Sequence, residues 1–566
     1  MQFEITVQST QEWNNGGNGI ITIKNNGDEL TNWQFQLTTT NFITGDFWAL
    51  SKTGTSNNII IKPAAWKTIL AKGETIVSGF SYTFSNTITS LQVSSSTAGV
   101  TVVGPTNPTT PTNPTIPTNP TTPSDPSDPG ALTSSKKVFG YFTEWSIYDR
   151  KFNVNMIKAN KLTHILYAFM LPNPNVADYN KIVASYPFPP LPYHPEIAEG
   201  TLVYQDEAAA IPNIALLRQL KQQNPNVKIL VSIGGWSLSW TFSKVAANSV
   251  LRSRFVKSAV AFVISNGFDG VDIDWEYPGK QGIGFNYVDP INDATNLITL
   301  FKELRQELNT ASPNKHLELT SAVGCDPNVI KRYAGSEPYL DYILLMTYDF
   351  AGVWGNGGHH SPLYDNPGKT ENSQFNANSA VINTKNIGYS ASKICMGFPM
   401  YGRGWAKIVP TNPAQPIFGV SSGGAPASYS GAAGEPGLTS WKDLLPIIQG
   451  GNGFTRYYDN IAKAAYIHNS ATGETWSYDD EESLTAKTQY IVDNNLAGIM
   501  FWEQSDDTRN NVRSLLNTVV KNFNTSSPTT PTTPTTPTNN LLITITNNST
   551  TDFILKPNES VNITYP

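Results

Sequence analysis

FDGVDIDWEYPG, residues 268–279, alternates apolar and acidic side chains. In a strand, successive side chains point to opposite faces. Asp272, Asp274 and Glu276 therefore share one face, and Val271, Ile273 and Trp275 share the other. Asp269 has the opposite parity and is assigned a structural role. Unpaired carboxylates are costly to bury, and acids held close together cannot all ionise. One of them is pushed to keep its proton near neutral pH, as a general acid requires. The bland alternative is a salt-bridged network, which needs inward-facing arginines or lysines, and the neighbouring strands supply few.

On both sides of this stretch, residues 136–524 alternate apolar strand runs with helical patterns. Strands are expected at KVFGYF, THILYAF, VKILVSI, FDGVDIDW, LELTSAV, YILLMTY, KICMGFP and AGIMFW, with helices such as IALLRQLKQQ, RSRFVKSAVAFVISN and ATNLITLFKELRQEL between them. Repeated β/α units point to a (β/α)8 TIM barrel, whose active site lies at the C-terminal ends of its strands. Glu276 is at that end of the fourth strand, with Asp274 and Asp272 deeper. The region exceeds a minimal barrel. The excess falls in a Pro/Tyr-rich insertion at about 171–208 and in a small α+β insertion between strands 7 and 8, at about 406–488.

DGVDIDWE fits the DxxDxDxE signature, and this region resembles glycoside hydrolase family 18, the chitinases and their relatives. SIGGW (232–236), MTYDF (346–350), GFPMYGRGW (397–405) and MFWE (500–503) agree with further family motifs in order. The resemblance implies a retaining, substrate-assisted mechanism, an exception to the two-carboxylate scheme. Carried over, Glu276 is the general acid and base, Asp274 holds the substrate acetamido group, Asp272 shares a proton with Asp274, and Tyr348 bonds the acetamido oxygen. Trp502 floors the subsite of the distorted sugar, lined by Tyr141 and Phe169. Trp236 and Trp354 stack on the leaving-group side, and Met346, Asp349, Tyr401 and Arg403 line the cleft. Aromatic floors suit the apolar faces of sugar rings. The long second insertion resembles the small domain that deepens the cleft in one branch of the family.

Residues 1–103 are read as a β-sandwich: GIITIKN, WQFQLTT, NIIIKP and TIVSGFSYTF are short alternating runs between Gly and Asn turns. Trp13, Trp48 and Trp66 sit in polar, turn-rich surroundings. Their order resembles a family 2 carbohydrate-binding module, which implies that they form a flat platform for cellulose or chitin. Two Pro/Thr-rich linkers, 104–135 and 525–540, separate this module, the barrel and a short β-rich tail at 541–566 of unassigned role. Proline at every third or fourth position favours extended polyproline II, which gives the first linker a reach of roughly 80 Å at about 3.1 Å per residue.

The chain has 38 Lys and Arg against 44 Asp and Glu, a net charge of −6, and no basic run, which excludes nucleic acid as a partner. The two cysteines, Cys325 and Cys395, lack metal-ligand spacing, so no metal and no cofactor is expected, and they exclude a disulfide framework while leaving one bridge open. No apolar run is long enough for a transmembrane helix. The expected partner is chitin or its N-acetylglucosamine oligomers, met by a monomer. MQFEITVQST shows strand alternation rather than a signal peptide, so extracellular action would follow non-classical export, lysis or packaging in a virus particle. Competing readings are a chitin-binding lectin or adhesion protein on the same frame, and an endoglycosidase acting on N-glycans.

Overall fold

The computed structural model describes residues 128–525 apart from 186–192, 369–372, 428–434, 452 and 510–511; within 1–103 it describes the strands, and side chains only at 21 and 23–25. Eight parallel strands close a barrel: Lys137–Thr143, His164–Pro172, Lys228–Gly234, Gly270–Asp274, Glu318–Gly324, Tyr342–Met346, Ile394–Pro399 and Gly498–Trp502. They are numbered barrel strands 1 to 8 in chain order. Each pairs with its sequence neighbours, and strand 1 pairs with both strand 2 and strand 8, so no edge is left open.

The alternation read from the sequence sorts the side chains. Val271, Ile273 and Trp275 join the apolar layer between barrel and helices, where Trp275 stacks on Phe242 at 5.6 Å. Phe139, Tyr141, Leu166, Leu230, Leu344, Cys395 and Met500 pack in a second cluster with the cleft aromatics. Cys325 belongs to the outer layer, and both cysteines are buried and free, so the bridge left open by the sequence is not formed. The helix Ser249–Asn266 shows how the outer layer is set. The Asn248 side chain caps its first turn, Phe255, Val256, Ala259, Val260 and Val263 are buried, and Gly267 ends it at φ 65 in the left-handed region.

The first insertion carries the helix Val176–Ser185 and a short strand, Leu202–Tyr204, antiparallel to strand 2. The second is an antiparallel sheet with the helix Trp441–Gly450. It begins earlier than expected: Tyr401–Pro410 pairs as a strand directly after strand 7, against Leu438–Ser440 and Thr475–Tyr478. It also ends earlier, because Glu481–Asp493 is a helix packed on strand 8 and on the final helix Leu515–Thr525.

The amino-terminal region forms a five-stranded and a four-stranded sheet, together with a short two-stranded pair. Ile21 and Ile23 are buried and Lys24 is exposed, as alternation requires. Trp13 is the last residue of the strand Phe3–Trp13, whereas Trp48 and Trp66 lie outside the described residues, as do both Pro/Thr-rich runs and the tail. Among the described residues no helix is long and apolar enough to cross a membrane.

Candidate active site

Register across strands 3, 4 and 5 explains how the three acids differ. Asp272 is level with Ser232 on one side and Thr320 on the other. Ser232 Oγ donates to its Oδ2 at 2.7 Å, Thr320 Oγ1 to its Oδ1 at 2.6 Å, and Tyr141 donates its hydroxyl to Oδ2 at 2.9 Å. Burial raises the Asp272 carboxyl and these three donors lower it, with burial prevailing. Two residues on, Asp274 is level with Gly234 and Ala322, neither of which offers a side-chain donor. Its Oδ1 is buried and has no hydrogen-bond partner among the described residues. Burial first, then the charges of Glu276 and Asp272, push its carboxyl well above the usual range.

Glu276 lies just past the end of strand 4, where its backbone is pinned. Ser239 Oγ accepts from its N–H at 2.9 Å, and Asn286 Nδ2 donates to its carbonyl at 2.9 Å. Burial is the main force that pushes its carboxyl up to about 7; the Tyr277 hydroxyl opposes this and the charge of Asp349 adds to it. Among the described residues none of the three acids forms an ion pair with lysine or arginine, so the salt-bridge reading fails. Asp269, on the other parity, is held at the opposite end of the strand by Lys221 and Lys315, both at 2.8 Å, and by the N–H of Ile229.

Three of the expected aromatics pack together, and one of them, Tyr141, reaches Asp272. Trp502 stacks on Phe169 at 5.5 Å and lies 5.2 Å from Tyr141. The buried Tyr348 hydroxyl meets Met500 Sδ at 3.6 Å and has no stronger partner among the described residues. Trp236 and Trp354 are 49% and 60% exposed, which leaves their rings open to a ligand. Met346 is half-buried at the end of strand 6, against the inner cluster. Asp349 has φ 57 and gathers Tyr401 Oη at 2.9 Å and Arg403 through Nε at 2.8 Å and Nη2 at 3.0 Å. Burial would raise the Asp349 carboxyl, but Arg403 and the nearby His360 hold it well below the usual range. The Arg403 guanidinium also lies 5.0 Å from the Trp354 ring and bonds Glu435 at 2.6 Å. The side chains of the module tryptophans, Trp13, Trp48 and Trp66, lie outside the described residues.

Sequence reading missed several participants. Trp145, just beyond strand 1, lies 6.2 Å from Phe169 and 6.3 Å from Trp502. Tyr277 meets Trp236 edge-on at 6.5 Å. Ser239, Asn286 and His360 act from loops, where no periodicity marks them. The glycines of SIGGW are explained by close approach. Gly234 and Gly235 have φ 111 and 80, and a Cβ would drive the first into the Asp274 carbonyl and the second into the Phe169 ring. Among the described residues no cluster of His, Cys, Asp and Glu could hold a metal ion.

Comparison with known proteins adds to this geometry. Residues 137–507 match the model of Glycosyl hydrolases family 18, and residues 3–101 match that of the Cellulose binding domain. Over 413 residues the chain is 33% identical to Chitinase A1 of Niallia circulans, covering 68% of this chain and 58% of that protein. It is 34% identical over 412 residues to Chitinase A of Pseudoalteromonas piscicida, covering 65% of this chain and 50% of that protein. These two relatives are therefore matched over only about half of their length. Endochitinase 1 of Metarhizium robertsii is 33% identical over 385 residues, covering 67% of this chain and 83% of that protein. Among solved structures, Chitinase ChiA74 from Bacillus thuringiensis superposes with a TM-score of 0.58 at 33% identity, covering 69% of each chain.

Proposed function

Since the chain belongs to glycosyl hydrolase family 18, we propose that it is a chitinase that cleaves β-1,4 links between N-acetylglucosamine units with retention. The observation that carries this is the orphaned Oδ1 of Asp274, a buried acceptor between a satisfied acid below and a proton-holding acid above. An unmet buried acceptor costs free energy, which a ligand donor can recover. A substrate acetamido N–H is such a donor.

With that group held by Asp274, its carbonyl oxygen attacks the anomeric carbon while Glu276 gives its proton to the departing glycosidic oxygen. The bond to the leaving sugar breaks and an oxazolinium ion forms. The Tyr348 hydroxyl donates to the acetamido oxygen and aligns it. A proton shared between Asp274 and Asp272 lets Asp274 become anionic as the ring becomes cationic. Glu276, now a carboxylate, takes a proton from water, which opens the oxazolinium and restores both groups. Trp502 with Phe169 and Tyr141 forms the floor beneath the distorted sugar. Trp13, Trp48 and Trp66 serve the amino-terminal module as a platform on insoluble polysaccharide, and the polymer is met outside the producing cell.

The test is mass spectrometry of soluble products from β-chitin, with wild type and Glu276→Gln side by side. Products, mainly N,N′-diacetylchitobiose, from wild type alone support the reading. No product from either protein, with both bound to the solid, overturns it in favour of a binding protein on a chitinase frame.

A further inference from the structure

Glu144 is buried at 1% exposure on the turn that follows strand 1, and the hydrolytic mechanism makes no use of it. The Tyr167 hydroxyl donates to its Oε2, the backbone N–H of Asp206 donates to its Oε1 at 2.7 Å, and Asn213 Nδ2 donates to its carbonyl at 3.2 Å. One residue thus ties the turn to strand 2 and to the start of the helix Glu207–Gln223. The next residue, Trp145, points the other way, into the floor with Phe169 and Trp502. We propose that Glu144 is a positioning residue for the sugar-binding floor: it anchors the turn that presents Trp145. The inference rests on the chitinase reading, because it takes the floor to bind N-acetylglucosamine oligomers.

Among the described residues hydrogen bonds, not an ion pair, hold Glu144. The groups that face Glu144 are Tyr167 from strand 2, Tyr204 from the short edge strand, Asp206 and Asn213 from the helix and its cap, and Tyr148 from its own turn, with Glu207 beside Tyr204. All are neutral or acidic. Among the described residues no lysine, arginine or histidine pairs with Glu144, and Arg150, the cation nearest in sequence, is engaged by Glu503 and Asp506. Burial, against the hydrogen bonds from Tyr167 and Asp206, pushes the carboxyl up to about 8. Both carboxyl oxygens accept, from the Tyr167 hydroxyl and from the Asp206 N–H, so the anchor works through acceptor geometry. Removing the two acceptors frees the turn, and Trp145 with it.

The test measures binding of chitohexaose by tryptophan fluorescence in the full chain carrying Glu276→Gln, which halts turnover and removes that group's titration. Adding Glu144→Ala, which removes both acceptors, should raise Kd about fivefold at neutral pH. Adding Glu144→Gln, which keeps an acceptor for the Asp206 N–H, should hold Kd within about twofold of the parent. Adding Trp145→Ala should weaken binding as well, and combining it with Glu144→Ala should cost little more, because the effect runs through Trp145. An unchanged Kd in folded Glu144→Ala, or a loss from Glu144→Ala that persists in full on top of Trp145→Ala, overturns the proposal while leaving the chitinase reading intact. A parent chain that does not bind the hexamer, from a wild type that does not cleave it, overturns both.

Discussion

Glu276 must carry a proton in the free enzyme if it is to protonate the leaving oxygen, and its carboxyl sits near 7 because it is buried and because Asp349 is negative close by. The activity kcat/KM should therefore fall about tenfold per pH unit above the neutral range. Asp349→Asn removes the charge that helps to hold the Glu276 proton. The pKa of Glu276 then drops, and the alkaline limb of the profile should move to lower pH. A limb that stays in place or moves up would show that Asp349 does not tune the acid. The same substitution weakens the ion pair that fixes Arg403 beside Trp354, so KM should rise as well. The two effects separate by measuring kcat/KM against pH and KM at one acidic pH. Among single residues the sequence was most legible where side chains alternate. The three acids could be ordered by depth from period two alone. That Asp274 is the orphan depends on Gly234 and Ala322 at its own level, a matter of strand pairing that one strand cannot reveal.

Among the strands and turns, the strand 3 turn and the barrel base make separate demands. Gly235 passes so close to Phe169 that a methyl group would displace the ring, and its φ of 80 disfavours a side chain in any case. Gly235→Ala should lower Tm and raise KM for oligomers by moving Phe169 from under Trp502; an unchanged KM in folded protein would refute the packing argument. At the base, Glu318 accepts from His164 Nε2 at 2.8 Å and from Lys228. Burial alone would raise its carboxyl, yet these partners bring it down to about 2 from 4.5. A depressed acid adds stability that is complete above its unfolded pKa and is lost as pH falls toward the folded one. The barrel should lose on the order of 3 kcal/mol between about pH 5 and 2 on this account. Glu318→Gln should be less stable at neutral pH and show a shallower fall in Tm with acid; an equally steep fall would assign acid lability elsewhere. The strands themselves were legible because each is a short apolar run with turn signals at its ends. The insertion boundaries were not, because Tyr401–Pro410 starts only two residues after Pro399 ends strand 7, which leaves no loop to announce a change of sheet.

In the molecule taken whole, the proposed chitinase region, which matches glycosyl hydrolases family 18, follows a region that matches a cellulose binding domain. Between them runs a Pro/Thr-rich segment, 104–127, whose composition predicts a semi-rigid spacer. A tether of this kind keeps the cleft at a high local concentration of polymer once the module has landed, and adds no affinity for a dissolved oligomer. The two activities therefore respond differently to loss of the module's surface. Replacing Trp13, Trp48 and Trp66 together by alanine in the full chain should cut the rate on crystalline β-chitin by about tenfold and leave kcat/KM on chitohexaose within about twofold. Stacking on sugar faces is not an ionic contact, and the chain's net charge of −6 offers no steering toward a neutral polymer. Binding of wild type to β-chitin should then be unaffected by molar salt. Equal losses on solid and soluble substrates would mean that these tryptophans support folding, and salt-sensitive binding would mean that charge rather than stacking holds the module to the solid.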